Sequence, residues 1–154
     1  GYIKILSLLP RFAPTFACLG NHDGGRWASK YRGFKDTEIV QGLLKRAGII
    51  LLQNAAQTVG VRDWNLTLVG LGDAWAREML PEIAFAQVTI NQGDGTIVLS
   101  HNPDTKTELQ SYEWDLMLCG HTHGGQIRLP LFGTPFAPVQ DKNFVAFVST
   151  AVPK

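Results

Sequence analysis

All four histidines of the chain fall just past an apolar, strand-like run. His22 follows Ala17-Cys18-Leu19, His101 follows Ile97-Val98-Leu99, and His121 and His123 follow Leu116-Met117-Leu118-Cys119. Scattered core or surface histidines would not share this placement. Short apolar runs of this kind read as strands buried in a largely parallel sheet. Between them lie stretches with helical periodicity, so strands alternate with helices. In such an α/β architecture the loops at the strand carboxyl ends converge on one edge, where ligands bind. The histidine pattern therefore constrains both the fold and the position of its site.

The densest cluster is Gly120-His121-Thr122-His123-Gly124-Gly125. In an extended loop, alternate side chains point to opposite sides. Flanking glycines are expected to free the backbone so that both imidazoles enter one pocket. Imidazole is the commonest metal ligand near neutral pH. Gly20-Asn21-His22-Asp23-Gly24-Gly25 repeats the device: strand, glycine, coordinating side chains, glycines. Together Asn21, His101, His121 and His123 offer mixed nitrogen and oxygen donors, a set that suits manganese, iron or zinc better than calcium or magnesium. Each residue has a plainer reading when taken singly. A histidine after a strand can bond a nearby carbonyl, Asn21 suits a turn, and Asp23 suits a cap or turn. Asp73, after Gly72, reads as a loop cap with no metal role.

The periodicity predicts a short helix from Tyr2 to Leu9, closed by Pro10 and packed on a sheet. A strand is predicted over Pro14–Leu19, and a helix from an Asp36 cap to Ala47, with Gly48 as its stop. Arg26, Trp27, Lys30, Tyr31 and Arg32 read as a loop. Ile49–Leu52 reads as a strand, and 57–71 as an antiparallel hairpin turning at Arg62-Asp63-Trp64-Asn65. A helix follows from Pro81 to about Val88, a strand over Thr96–Leu99, and a helix from Asp104 to Leu109 or Ser111. Asp115–Cys119, Gln126–Leu129 and Phe144–Ser149 read as strands, the last two split by a loop over Pro130–Pro138. At 154 residues, 45% of them hydrophobic and 18% charged, the chain has globular composition and enough length for a core. A net charge of +1 argues against bulk capture of nucleic acid. Cys18 and Cys119 read as buried thiols of a reducing compartment, the rival being a bridge between neighbouring strand ends. No apolar run reaches the ~20 residues of a spanning helix.

In order, Gly20-Asn21-His22-Asp23, Ser100-His101 and Gly120-His121-Thr122-His123 resemble the motifs of the calcineurin-like metallophosphoesterases. The continuation Gly124-Gly125-Gln126-Ile127-Arg128-Leu129-Pro130 resembles a branch of small bacterial phosphodiesterases. Some of that branch are membrane-associated, and some are assigned to UDP-2,3-diacylglucosamine hydrolysis in lipid A synthesis. The resemblance runs from about Leu19 to Pro130. It implies an α/β fold, a metallophosphoesterase-type β-sandwich flanked by helices, in a single partial domain over residues 1–154. It implies a two-metal centre of manganese, iron or zinc. Asn21, His101 and His121 would bind one ion and His123 the other. His22 would stand near the leaving group, with Asp23 orienting it. Arg26 is a candidate phosphate contact, and Trp27 and Tyr31 are candidate apolar walls.

The family's Asp-x-His and Gly-Asp-x-x-Asp motifs do not precede Gly20. The expectation is an N-terminally truncated domain without its first strand–helix–strand unit, holding one ion rather than two, and inactive or nearly so by itself. Such a domain should leave exposed strand edges and an open apolar face. The implied substrate is a small phosphodiester or a nucleotide-linked compound, not nucleic acid. The implied location is cytoplasmic, with peripheral contact at the inner membrane left open. The alternatives are a mononuclear metal- or phosphate-binding module without turnover, and a nuclease of the same superfamily.

Overall fold

The computed structural model describes residues 1–89, 93–125, 130–131, 134–142, 145 and 149–150. It is a mixed α/β fold with sheets flanked by helices, as the alternating pattern predicts. The elements are α1 (Tyr2–Leu6), β1 (Phe16–Ala17), α2 (Gly25–Lys30), α3 (Glu38–Ala47), β2 (Ile50–Leu51), β3 (Ala55–Val61), β4 (Trp64–Gly70), α4 (Pro81–Phe85), β5 (Gly95–Leu99), β6 (Leu116–Leu118) and β7 (Ser149–Thr150). Short 3₁₀ turns lie at Leu9–Arg11 and Pro103–Thr107.

Strands β1 and β2 pair in parallel as a two-stranded sheet. The other five form a sheet in the order β3-β4-β5-β6-β7. Its centre, β4-β5-β6, is parallel, and β3 and β7 are added antiparallel at the edges. The carboxyl ends of β4, β5 and β6 therefore emerge side by side. The hairpin turns at Arg62-Asp63, one residue pair tighter than the four-residue turn expected, with Val61 opposite Trp64. Arg62 takes the positive φ that such a turn demands (56°).

The larger core lies against the central strands. Val69, Leu71, Ala84, Val98, Leu109 and Met117 are buried together, with Phe85 stacked on Tyr112 at its margin. A second cluster, Leu19, Leu44, Ala47 and Ile49, joins the two-stranded sheet to α3. Leu109 is fully enclosed. Leu109→Ala is expected to cost about 2–5 kcal/mol, the usual range for a large-to-small core change. Urea unfolding monitored by circular dichroism would measure it.

Several expectations need correction. The stretch from Arg26 is not a loop: Gly25–Lys30 is helical, entered through Gly24 and Gly25 at positive φ (133° and 81°). Helix α1 packs on α3 through Leu6 rather than on a sheet, and it buries no residue fully. Tyr2, Ile5, Leu8, Leu9 and Phe12 are exposed, so this end does present an apolar face. Asp36 sits one residue before the N-cap position, Thr37, and its Oδ1 accepts from Glu38 N (3.0 Å). Gly48 ends α3 in the left-handed conformation as expected. After β5, Asn102 rather than Asp104 caps the turn, accepting from Asp104 N. The carboxylate of Asp104 instead accepts from Gln140 N and Asp141 N, tying the later loop down. That segment is 3₁₀ because Pro103 opens it and the network around Asn102 holds it tight. The predicted strand Gln126–Leu129 lies outside the described residues, as does most of Phe144–Ser149.

Both cysteines are free. Cys119 is exposed rather than buried, because it lies past the end of β6 where the ladder gives way to the loop. Burial pushes the Cys18 thiol up to about 11, so it is protonated at neutral pH.

Candidate metal centre

Four loops leave the carboxyl ends of β1, β4, β5 and β6, and all four carry polar residues to one edge. The loop after β5 is held rigidly. Ser100 Oγ meets Thr105 Oγ1 (2.8 Å), and Thr105 Oγ1 donates to Asn102 O (2.7 Å). Ser100 N donates to Leu118 O (3.1 Å), and Gly120 N to His101 O (3.0 Å). The β5–β6 ladder thus continues into the two histidine loops and sets them side by side. The first loop is closed by Asp23, whose Oδ2 accepts from Gly20 N (2.8 Å) while Asp23 N donates to Gly20 O (3.0 Å).

Within this frame three donor atoms converge. His101 Nε2 lies 2.9 Å from Asn21 Oδ1 and 3.2 Å from His121 Nδ1. Hydrogen bonding joins all three only if one N–H is shared between two acceptors. Asn21 Oδ1 only accepts, and a neutral imidazole nitrogen carries either a proton or a lone pair. If His101 Nε2 gives its proton to Asn21, it has no lone pair left for His121. A cation placed among them satisfies all three at once. Ligands about 2.0–2.1 Å from a common transition metal stand about 3.0 Å apart at right angles and about 3.4 Å apart at the tetrahedral angle. The two observed separations fall at those edge lengths. Asn21 Nδ2 and His121 Nε2 are also buried without a partner. The donor set therefore fits a divalent metal. Among the described residues no three His, Cys, Asp or Glu side chains are grouped to hold an ion, so the third donor is the Asn21 amide.

Burial pushes both imidazoles below the usual range. For His101 desolvation dominates and the carboxylates of Asp73 and Asp23 oppose it. For His121 desolvation is again the main cause and the neighbouring His101 adds to it. Both rings are thus neutral, the form that ligates metal. The folded chain resists protonation that the unfolded chain accepts. Stability should be level above about pH 6.5 and should fall as pH drops below it through the lowered values. Thermal melts of the metal-free chain from pH 8 to 5 should show that decline, and a His101→Gln, His121→Gln double variant should show less of it.

The remaining predicted residues fall out as follows. His121 and His123 do reach one cavity, but the backbone freedom lies elsewhere than expected. The histidines themselves take positive φ (62° and 52°), along with Gly124 and Gly125, and Gly120 does not. The reason is the ladder bond from Gly120 N, which holds that residue in the sheet's direction. A cavity of about 310 Å³ is lined by Asn21, His22, His121 and His123 on its polar side and by Trp27, Trp75 and Phe136 on its apolar side. His22 is exposed and stands edge-on to Trp27, with centroids 4.7 Å apart. The Asp23 carboxylate binds Gly20 N, so it shapes the loop that presents His22. Arg26 is exposed on α2, away from the cavity lining. Tyr31 stacks on Trp27 at a tilt (4.4 Å, 35°) without lining the cavity.

Asp73 is the loop cap that its place after Gly72 predicts, and Trp75 is a cavity residue that sequence reasoning missed. Asp73 is 3% exposed, its Oδ1 accepts from Ala76 N (2.8 Å), and its Oδ2 is buried without a partner. It is the carboxylate that most counters desolvation at His101. Its signal was its place after β4, in register with the three loops that carry histidines. Trp75 lies edge-on to His121 (4.3 Å, 80°).

The chain resembles known proteins over most of its length. The calcineurin-like phosphoesterase family profile matches residues 1–125. The chain is 45% identical over 145 residues to phosphodiesterase YaeI of Escherichia coli K12, covering 94% of this chain and 50% of that protein. It is 32% identical over 154 residues to the UDP-2,3-diacylglucosamine pyrophosphatase LpxG of Chlamydia trachomatis, covering 75% of this chain and 45% of that protein. It is 28% identical over 142 residues to the uncharacterized metallophosphoesterase YkuE of Bacillus subtilis, covering 90% of this chain. The chain spans about half the length of these curated relatives. No solved structure matches it.

Proposed function

The chain belongs to the calcineurin-like phosphoesterase family, a family that uses divalent metals, and we propose that a protein built on it is a metal-dependent phosphodiesterase. The observation that carries this reading is the convergence of Asn21 Oδ1, His101 Nε2 and His121 Nδ1 at 2.9 and 3.2 Å. On this reading these three residues hold one manganese, iron or zinc ion, and His123, across the same cavity, contributes to a second. When bound, the metals would offset charge on the phosphoryl oxygens and lower the pKa of the attacking water. His22 stands at the cavity mouth, buttressed by Trp27, where it can give a proton to the leaving oxygen or stabilise its charge. Asp23 holds the loop that aims His22. Arg26, exposed beside this loop, would reach a phosphoryl oxygen only by extending over the rim.

The substrate class proposed is a small phosphodiester or a nucleotide-linked compound. The LpxG relative supports UDP-2,3-diacylglucosamine, and with it lipid A synthesis, as one member of that class. Residues 1–154 are read as one partial domain of the parent. A cytoplasmic location with peripheral inner-membrane contact goes with that substrate. Among the described residues no helix is long and apolar enough to cross a membrane. A second reading, a mononuclear metal- or phosphate-binding module without turnover, is favoured by the single three-donor cluster among the described residues.

Manganese-dependent hydrolysis of bis-p-nitrophenyl phosphate tests the proposal. The 154-residue chain should bind manganese and turn over slowly or not at all. Supplying the segment that carries Asp-x-His and Gly-Asp-x-x-Asp should give turnover. One ion per chain and no turnover with that segment present would leave the binding module as the answer.

A further inference from the structure

The cavity has a polar floor and an aromatic wall, and the wall has no part in holding a metal. Trp27 and Trp75 face each other with centroids 5.5 Å apart at 43°. Each also touches a cavity-lining histidine edge-on: Trp27 meets His22, and Trp75 meets His121. Trp75 is 39% exposed, although the turn that bears it is braced by Asp73 and Ala76 is buried beside it. An indole left open at the mouth of a cavity, with the neighbouring position used for burial, is placed to meet a ligand rather than to fill the core.

The shape of the wall selects among ligands. A quaternary ammonium group needs rings set roughly as the sides of a box. Here Trp27 is tilted only 43° from Trp75. Those rings form a shallow platform. The Trp27–Trp75 separation is too small to admit a third ring between them, so a ligand ring must lie on the open side of the pair. A cavity of about 150 Å³ holds one benzene. The 310 Å³ here accommodates one ring and a phosphoryl group.

Resting on the phosphodiesterase reading above, we propose that the Trp27–Trp75 platform is a specificity subsite that stacks the flat ring of one substrate arm, an aryl or nucleobase ring, while the phosphoryl group lies over the histidine floor. Because Trp27 buttresses His22, the stacked arm is the one on the leaving-group side.

Isothermal titration with phenyl phosphate, methyl phosphate and phosphocholine, with and without manganese, tests this on the 154-residue chain. Phenyl phosphate should bind about tenfold more tightly than methyl phosphate, the effect of one stacked ring. Trp75→Phe should retain the preference, and Trp75→Ala should bring the ratio near one. The half-exposed position of Trp75 leaves the fold intact in both variants, and circular dichroism checks this. A ratio near one in the unmodified chain, no binding of phenyl phosphate at millimolar concentration, or tighter binding of phosphocholine would each overturn the proposal. Loss of manganese dependence with the phenyl preference intact would strike only the metal reading.

Discussion

Replacing His121 with alanine is expected to lower manganese affinity by more than about 100-fold and to reduce any phosphodiesterase activity of the parent to background. Removing a partner that merely orients a ligand typically costs 10–100-fold, and His121 supplies one of the three converging donors itself. The metal-free chain should lose little stability. His121 is in the left-handed region already, so alanine inherits a strain the backbone bears now. The substitution also removes a buried Nε2 that has no partner. Titration calorimetry with manganese, run beside a thermal melt of the same variant, separates the two effects. A large drop in melting temperature with unchanged manganese affinity would make His121 a structural residue and would remove the basis of the metal centre. His121→Asn, which suits positive φ better than alanine, guards against a backbone artefact.

Gly20→Ala is expected to have the second largest effect, through a residue that binds nothing. A methyl group built at Gly20 would lie 2.7 Å from three atoms of the His101 ring. A methyl at Gly120 would lie 3.2 Å from Nδ1 of the same ring. The imidazole therefore sits in a slot that both glycines line, and its backbone is tied by the bond from Gly120 N. It is a rigid ring with its Nε2 already committed to Asn21 and His121, so it cannot swing aside and keep both contacts. Overpacking of this kind costs about 1–3 kcal/mol. Manganese affinity should fall at least tenfold, because a ring displaced by several tenths of an ångström leaves the ligand geometry. Gly120→Ala, with the looser approach, should do less. Equal effects of the two variants on affinity would show that the slot does not position His101.

The motif-bearing loops were legible in sequence because each combines a strand signal with coordinating side chains and glycine. The structure brings Asn21, His101 and His121, all marked by the motifs, into a chain of close contacts. His22 and His123 reach the same cavity. The carboxylate of Asp23 accepts from Gly20 N, the turn role that its residue type suggests, and so shapes the loop that presents His22. Asp73 was legible as a loop cap, but its place beside His101 and the whole of Trp75 were not, for a common reason. Their loop follows β4 but carries no histidine, so nothing local set Asp73 apart from a cap. Only the parallel alignment of β4 with β5 brings that loop to the same edge.

Sequence by itself determined the alternation of strands and helices, the hairpin, the stop at Gly48 and the identity of the histidine-bearing loops. These rest on local periodicity, turn chemistry and motif order, which act over a few residues. Tertiary structure alone decided which loops meet. The partition into two sheets, the slot that holds His101, and the pairing of Trp27 with Trp75 depend on contacts between residues tens of positions apart. No local propensity encodes such distances, because they arise only when strand register and burial are satisfied together across the whole sheet.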